Sequence, residues 1–124
     1  MIIDTHAHML PQSTLEAFSM ESNNFPSINL IKSEDKYQLS FNEKNPTRPI
    51  MPKLRIFSER EQFLSSNGID LQISGGWLDS FGYGIEPEEG ADWSRFLNEG
   101  MLADCKDRDG LVPLATVPMQ SGKL

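Results

Sequence analysis

The first ten residues, MIIDTHAHML, hold the only two histidines of the chain, His6 and His8, one residue apart. Imidazole is the commonest protein metal ligand and carries protons near neutral pH. The spacing decides what the pair can do together. Ile2 and Ile3 are β-branched and favour a strand. In a strand, side chains two apart leave the same face. His6 and His8 are therefore expected to project together from the C-terminal end of a first strand, with Asp4 deeper on that face. Two imidazoles held side by side fit two positions around a zinc ion at about 2.0–2.1 Å. The same tripeptide also suits a polar strand end, with both rings solvated or bonded to backbone. Period alone leaves both readings open.

The elements that must position this pair follow from pattern. Met1–Thr5 reads as a strand, stopped by Leu10-Pro11-Gln12, and Ser13–Met20 as a short helix with Leu15 and Phe18 on one side. Around the polar turn Ser33-Glu34-Asp35, Ile28, Leu30 and Lys32 alternate with polar or outward residues, as do Tyr37, Leu39 and Phe41. Period two on both sides of a turn predicts a β-hairpin. Arg48–Met51 is expected to add a third edge strand, confined there by Pro49 and Pro52, so that residues 27–53 form an antiparallel insertion. Ser58-Glu59-Arg60-Glu61 has the form of a capping box, opening a helix that Gly68 closes. Ile69–Ser74 is the next strand, bounded by Gly75-Gly76, and Trp77–Gly90 a long loop. Trp93, Phe96, Leu97, Met101, Leu102 and Cys105 fall at helical spacing and predict a core-facing stripe. Leu111–Val117 is a third strand with Pro113 near its start, and Ser121–Leu124 has the look of another helix start. Strands alternating with helices imply right-handed β-α-β units and a parallel sheet. Chemistry in such sheets sits at the C-terminal strand ends, where His6 and His8 lie.

Composition narrows the class. The chain has 124 residues, 38% of them hydrophobic and 23% charged, enough for one small folded unit or a piece of a larger one. Its net charge of −7, from 18 acidic and 11 basic side chains without a basic stripe, speaks against a nucleic-acid partner. Cys105 is the single cysteine, so no intrachain disulfide forms; this fits a reducing cytoplasm. The early Asp4 and the lack of a long apolar run argue against a signal peptide and a membrane span.

Three stretches carry more than pattern. IDTHAHMLP, SEREQFLSSNGIDLQIS and LVPLATVPMQSGKL, in this order and spacing, resemble the amidohydrolase superfamily. The branch they are similar to contains aminocarboxymuconate semialdehyde decarboxylase and related metal-dependent decarboxylases and hydrolases. The resemblance runs nearly end to end and is loosest in the insertion. It implies a metal-dependent (β/α)8 TIM barrel with a divalent cation, zinc, at its C-terminal face and His6 and His8 as two of its ligands. It implies that Arg48, from the insertion, binds the carboxylate of a small substrate, beside Trp77 at the end of the second strand; a solvated edge charge and loop packing are the plainer readings of the two. Arg60 matches a family arginine whose helix position suggests a structural ion pair.

The chain departs from the family in length. A barrel of this kind needs about 250 residues or more. The family's further ligands, a histidine and an aspartate, and its acid/base groups come from later strands. Residues 1–124 are thus expected to be an N-terminal portion, about three β/α units, whose catalytic residues lie beyond Leu124. Asp4 is expected to lie too deep to complete the shell, and Cys105 to fall on a helix stripe far from the strand ends. The expected whole is a decarboxylase; a hydrolase of an ester, lactone or amide, and an inactive fragment or interaction module, are the alternatives. The 124 residues alone are expected to be inactive, self-associating or associating with the rest of the barrel.

Overall fold

The computed structural model describes residues 1–122, so Lys123 and Leu124 of the expected final helix lie outside the described residues. β1 (Ile3–Met9) leads to α1 (Gln12–Glu21), a 3-10 turn at Ser22–Asn24, and the strands β2 (Ile28–Ser33) and β3 (Lys36–Phe41). Then come α2 (Pro52–Arg55), α3 (Phe57–Ser66), β4 (Leu71–Gly76), a 3-10 turn at Leu78–Ser80, α4 (Pro87–Cys105) and β5 (Leu111–Pro113). β1, β4 and β5 form a parallel sheet in that order, and β2 and β3 pair antiparallel as a separate sheet. The fold is mixed α/β, as the alternation of strand and helix predicts.

The two faces of the parallel sheet differ. Register places Gln72, Ser74 and Gly76 of β4 with Leu111 and Met9 on one face. This face is closed by helices: Met9, Leu64, Met101, Cys105 and Leu111 form a buried cluster between the sheet, α3 and α4. A Cβ on Gly76 would meet the Phe81 ring at 2.7 Å. Ile3, Leu71, Ile73, Gly75 and Val112 fall on the other face. None of them is buried, and a Cβ on Gly75 would meet nothing within 4 Å.

A second core lies under the hairpin. Trp93 of α4 stacks on Phe96 at 5.5 Å and meets Phe18 and Phe25 edge-on at 5.3 and 5.2 Å. Its indole N–H donates to the Ser80 carbonyl at 2.6 Å, so the one polar atom of the ring is satisfied in the interior. Ile28 of β2 and Leu39 of β3 are buried in the same cluster. Arg55 ties the hairpin down. It is buried, donates through Nε to Ile50 O (2.9 Å), through Nη1 to Gln12 Oε1 (2.8 Å) and through Nη2 to Asp35 O (3.0 Å), and lies 4.7 Å over the Tyr37 ring.

Several local expectations need correction. Arg48–Met51 is not a third strand; Pro49 cannot donate to a ladder, and the segment instead passes Thr47 N–H to Leu39 O and Ile50 N–H to Tyr37 O before entering α2. Ser58 caps nothing: α3 begins after Ile56, one residue beyond α2, and Ser58 sits inside its first turn. β4 starts two residues later than expected and runs through both glycines, because they pair with His8 and Met9. β5 stops at Pro113, which ends rather than begins the strand. Leu102 is 61% exposed, so the α4 stripe is narrower than its spacing suggested. Gly68 does close the α3 end, at φ 63°, the left-handed conformation that glycine adopts without steric cost.

Candidate metal centre

β1 carries the histidines, and an irregularity in it determines where they face. Asp4 pairs with Gln72 and Ala7 with Ser74, so β1 spends three steps where β4 spends two. This is a β-bulge at Thr5 and His6, which breaks the alternation of faces. Asp4 stays with Gln72 on the helix-covered face. After the bulge, Ala7 and Met9 take that face, and His8 stands beside Gly75 on the open one. The expectation that Asp4 lies below the histidines on a shared face is therefore overturned. Strict period two ignores the extra residue.

The pair itself converges. The His6 and His8 ring centroids are 5.1 Å apart, edge to face. His6 is exposed and His8 half-buried. His8 Nδ1 lies 3.1 Å from the Gly76 carbonyl oxygen. A carbonyl only accepts, so Nδ1 carries the hydrogen, and in the neutral ring Nε2 is then the lone pair. Metal-bound histidines are held in this way, with the second ring nitrogen donating to a carbonyl or carboxylate.

The donor set is partial. Asp4 is engaged elsewhere: Oδ1 accepts the His6 backbone N–H at 3.1 Å and Oδ2 accepts Gln72 Nε2 at 2.7 Å. These two bonds, the Gln72 bond first, hold its carboxyl below the usual aspartate value. Cys105 packs against Met9, with 3.8 Å between the sulfurs, so it is near the end of β1 after all, but under the opposite face. Among the described residues no group of three His, Cys, Asp or Glu side chains is placed to hold a metal ion. Two imidazoles therefore fit half of a tetrahedral shell.

The other expected site residues stand at the same end of the sheet. Trp77 follows β4 directly; its N–H donates to Met9 O at 3.0 Å, and it is buried in the core beneath the hairpin. Arg48 has a side chain 76% exposed, donates through Nε to Asp79 Oδ2 at 2.9 Å and lies 6.0 Å from the Trp77 ring. The Asp79 hydrogen bond tightens the hold of the guanidinium on its proton. Arg48 is an exposed charge paired with Asp79, which lies on the first turn after β4.

Sequence reasoning missed Gln72 and gave Arg60 a different kind of partner. Gln72 drew no attention as one polar residue of an apolar strand, and the only available signal was its place in G-I-D-L-Q opposite the motif. Arg60 was expected to make an ion pair. Instead its guanidinium donates to Gln72 Oε1 (2.5 Å), His8 O (2.6 Å) and Lys53 O (3.1 Å). Burial pulls its pKa below the ordinary arginine value. A cleft of about 810 Å³ runs between the outer edge of β1 and α3, lined by His8, Arg60, Phe63 and Gln72 among others.

This mixed α/β chain, with H-x-H at the C-terminal end of the first strand of its parallel sheet, is similar to amidohydrolase-related proteins. In particular, it is 29% identical over 119 residues to the 2-amino-3-carboxymuconate-6-semialdehyde decarboxylase of Caenorhabditis elegans, a match covering 94% of this chain and 29% of that protein. The crystal structure of Metarhizium anisopliae IDCase in apo form superposes with a TM-score of 0.67 over 98% of this chain and 36% of that one. At 15% identity this second likeness speaks for the fold alone. No family model matches the chain. The chain spans under a third of the length of the decarboxylase it resembles. No helix among the described residues is long and apolar enough to cross a membrane.

Proposed function

We propose that residues 1–124 are the N-terminal portion of a metal-dependent barrel enzyme, a decarboxylase of a small carboxylate-bearing substrate, and supply the first two ligands of its metal site. The observation that carries this reading is the His8 ring, whose Nδ1 hydrogen bond to Gly76 O turns Nε2 outward beside the His6 ring. The name of the worm relative favours decarboxylation over hydrolysis of an ester, lactone or amide. The remaining ligands and the acid/base groups come from chain outside these residues. The insertion of residues 27–53 forms one side of the site.

When bound, a zinc ion would act as a Lewis acid at this strand end, polarising the substrate or a water. The residues of this chain do the rest of what is assigned here. His6 and His8 orient two nitrogen donors. Arg48 exchanges Asp79 for a substrate carboxylate, against the wall made by Trp77. A guanidinium suits this task because it presents a planar fork of donors.

The test has two parts. Zinc titration of the 124-residue chain should show binding weaker than micromolar, abolished by His6→Ala and by His8→Ala, and no turnover of a muconate-type semialdehyde acid. Submicromolar affinity together with turnover would refute the partial-site reading. In a protein of full barrel length, Arg48→Ala should raise KM more than it lowers kcat. Unchanged kinetics would return Arg48 to a surface ion pair, and ring opening without carbon dioxide release would make the enzyme a hydrolase.

A further inference from the structure

The bulge creates a mechanical difficulty. Neither Thr5 nor His6 has a partner in the β1–β4 register, so the ladder does not hold the main chain where the first histidine leaves it. Side chains do so instead. The His6 N–H is donated to Asp4 Oδ1 at 3.1 Å, and the His8 carbonyl accepts Arg60 Nη2 at 2.6 Å. Between Asp4 and Arg60 lies Gln72, buried on β4. Its Nε2 donates to Asp4 Oδ2 at 2.7 Å, and its Oε1 accepts from Arg60 Nη1 at 2.5 Å and from Ser74 Oγ at 3.3 Å.

The chemistry fixes the direction of every bond. Arginine only donates and an ionised carboxylate only accepts. An amide placed between them satisfies both in one orientation alone, oxygen toward Arg60 and nitrogen toward Asp4. The chain therefore has no second arrangement of equal energy. Because Gln72 is buried, water cannot readily replace either partner.

We infer that Gln72 is a positioning residue for the histidine pair: it couples Arg60 to Asp4, and those two side chains hold the main chain of His8 and His6 across the bulge. The inference deepens the metal-site reading and rests on it for its purpose, though not for its geometry. Gln72 touches neither ring. It acts through the strand.

The experiment separates the two. Gln72→Met keeps the volume and removes both hydrogen bonds; Arg60→Lys keeps the charge but loses the fork that reaches Gln72 and His8 O together, and serves if the buried substitution does not fold. Amide hydrogen exchange of the metal-free chain reads the clamp directly. In either variant the His6 amide should exchange at least about tenfold faster, while β1–β4 ladder amides keep their rates. A general loss of stability would speed all of them alike, and unchanged His6 exchange in both variants would overturn the inference. Titration with cobalt(II) alone reads the purpose: affinity should fall about 10–100-fold, as for other groups that orient metal ligands, with a changed visible absorption band. Cobalt affinity equal to that of the parent chain would overturn the positioning role. A parent chain that binds no cobalt would refute the metal site itself, and the His6 exchange rate would still judge the clamp.

Discussion

The two faces of the β1–β4–β5 sheet are made by the same strands and have opposite fates. One is sealed by α3 and α4 and carries Met9, Ser74 and Leu111; the other carries Ile3, Leu71, Ile73, Val112 and the histidines, none of them buried. Parallel sheets in α/β proteins are covered on both sides. On the function proposed above, stability and chemistry fall to different faces. The closed face and the hairpin core hold the unit together, whereas the open face presents nitrogen lone pairs. Adjacent residues show the division most sharply: Gly76 has an aromatic ring against it, and Gly75 has open space.

Substitutions should break this contrast unequally. The largest effect is expected at Trp93, the centre of the aromatic cluster. Trp93→Ala should destabilise by about 3–5 kcal/mol, read as a fall in the denaturant midpoint or as loss of cooperative unfolding. Arg55→Ala should cost about 2–3 kcal/mol by leaving the buried Ile50 carbonyl and the half-buried Gln12 oxygen without this donor. Its near-ultraviolet dichroism should change with it, because Tyr37 and the hairpin loosen. Gly76→Ala should cost about 1–3 kcal/mol through overpacking against Phe81. The same substitution at Gly75 should stay within about 0.5 kcal/mol. Equal costs at the two glycines would mean that the open face is covered in solution. The smallest effect concerns Cys105. Burial raises its thiol pKa above the ordinary value of 9.0. The folded state then holds the proton that the unfolded chain releases, so this contribution is complete below about pH 9 and is lost as pH rises toward the folded value. Native protein should react slowly with a thiol reagent near pH 8, and its stability should fall above pH 9 less steeply in Cys105→Ala.

How much of this was legible in the sequence follows the same division. Period two found the hairpin, because Ile28 and Leu39 each need one apolar face. Strand and helix alternation found the parallel order, and the D-T-H-A-H spacing found the pair. What failed was anything set by count rather than by type. The bulge adds one residue, and no propensity distinguishes Thr5 as surplus; Asp4 was therefore assigned to the wrong face. Ser58 and Glu61 have the composition of a cap, but the preceding short helix α2 moved the start of α3. Gln72 was invisible for a different reason. A buried amide earns its place through partners on two other elements, and a single strand read by itself contains neither Arg60 nor Asp4.

Arg55 has a consequence for tempo. By fastening Gln12, Asp35 and Ile50 to one planar group, it joins α1, the β2–β3 turn and the segment before α2 into a body without a hinge. A swing of the hairpin over the sheet end, the kind of motion lids make on microseconds to milliseconds, would have to break these three bonds. What adjusts there is the exposed Arg48 side chain, and rotamer changes of exposed residues take picoseconds to nanoseconds. A ligand arriving at this rim would meet a frame already in its final shape and one arm that reorients faster than the ligand can diffuse away.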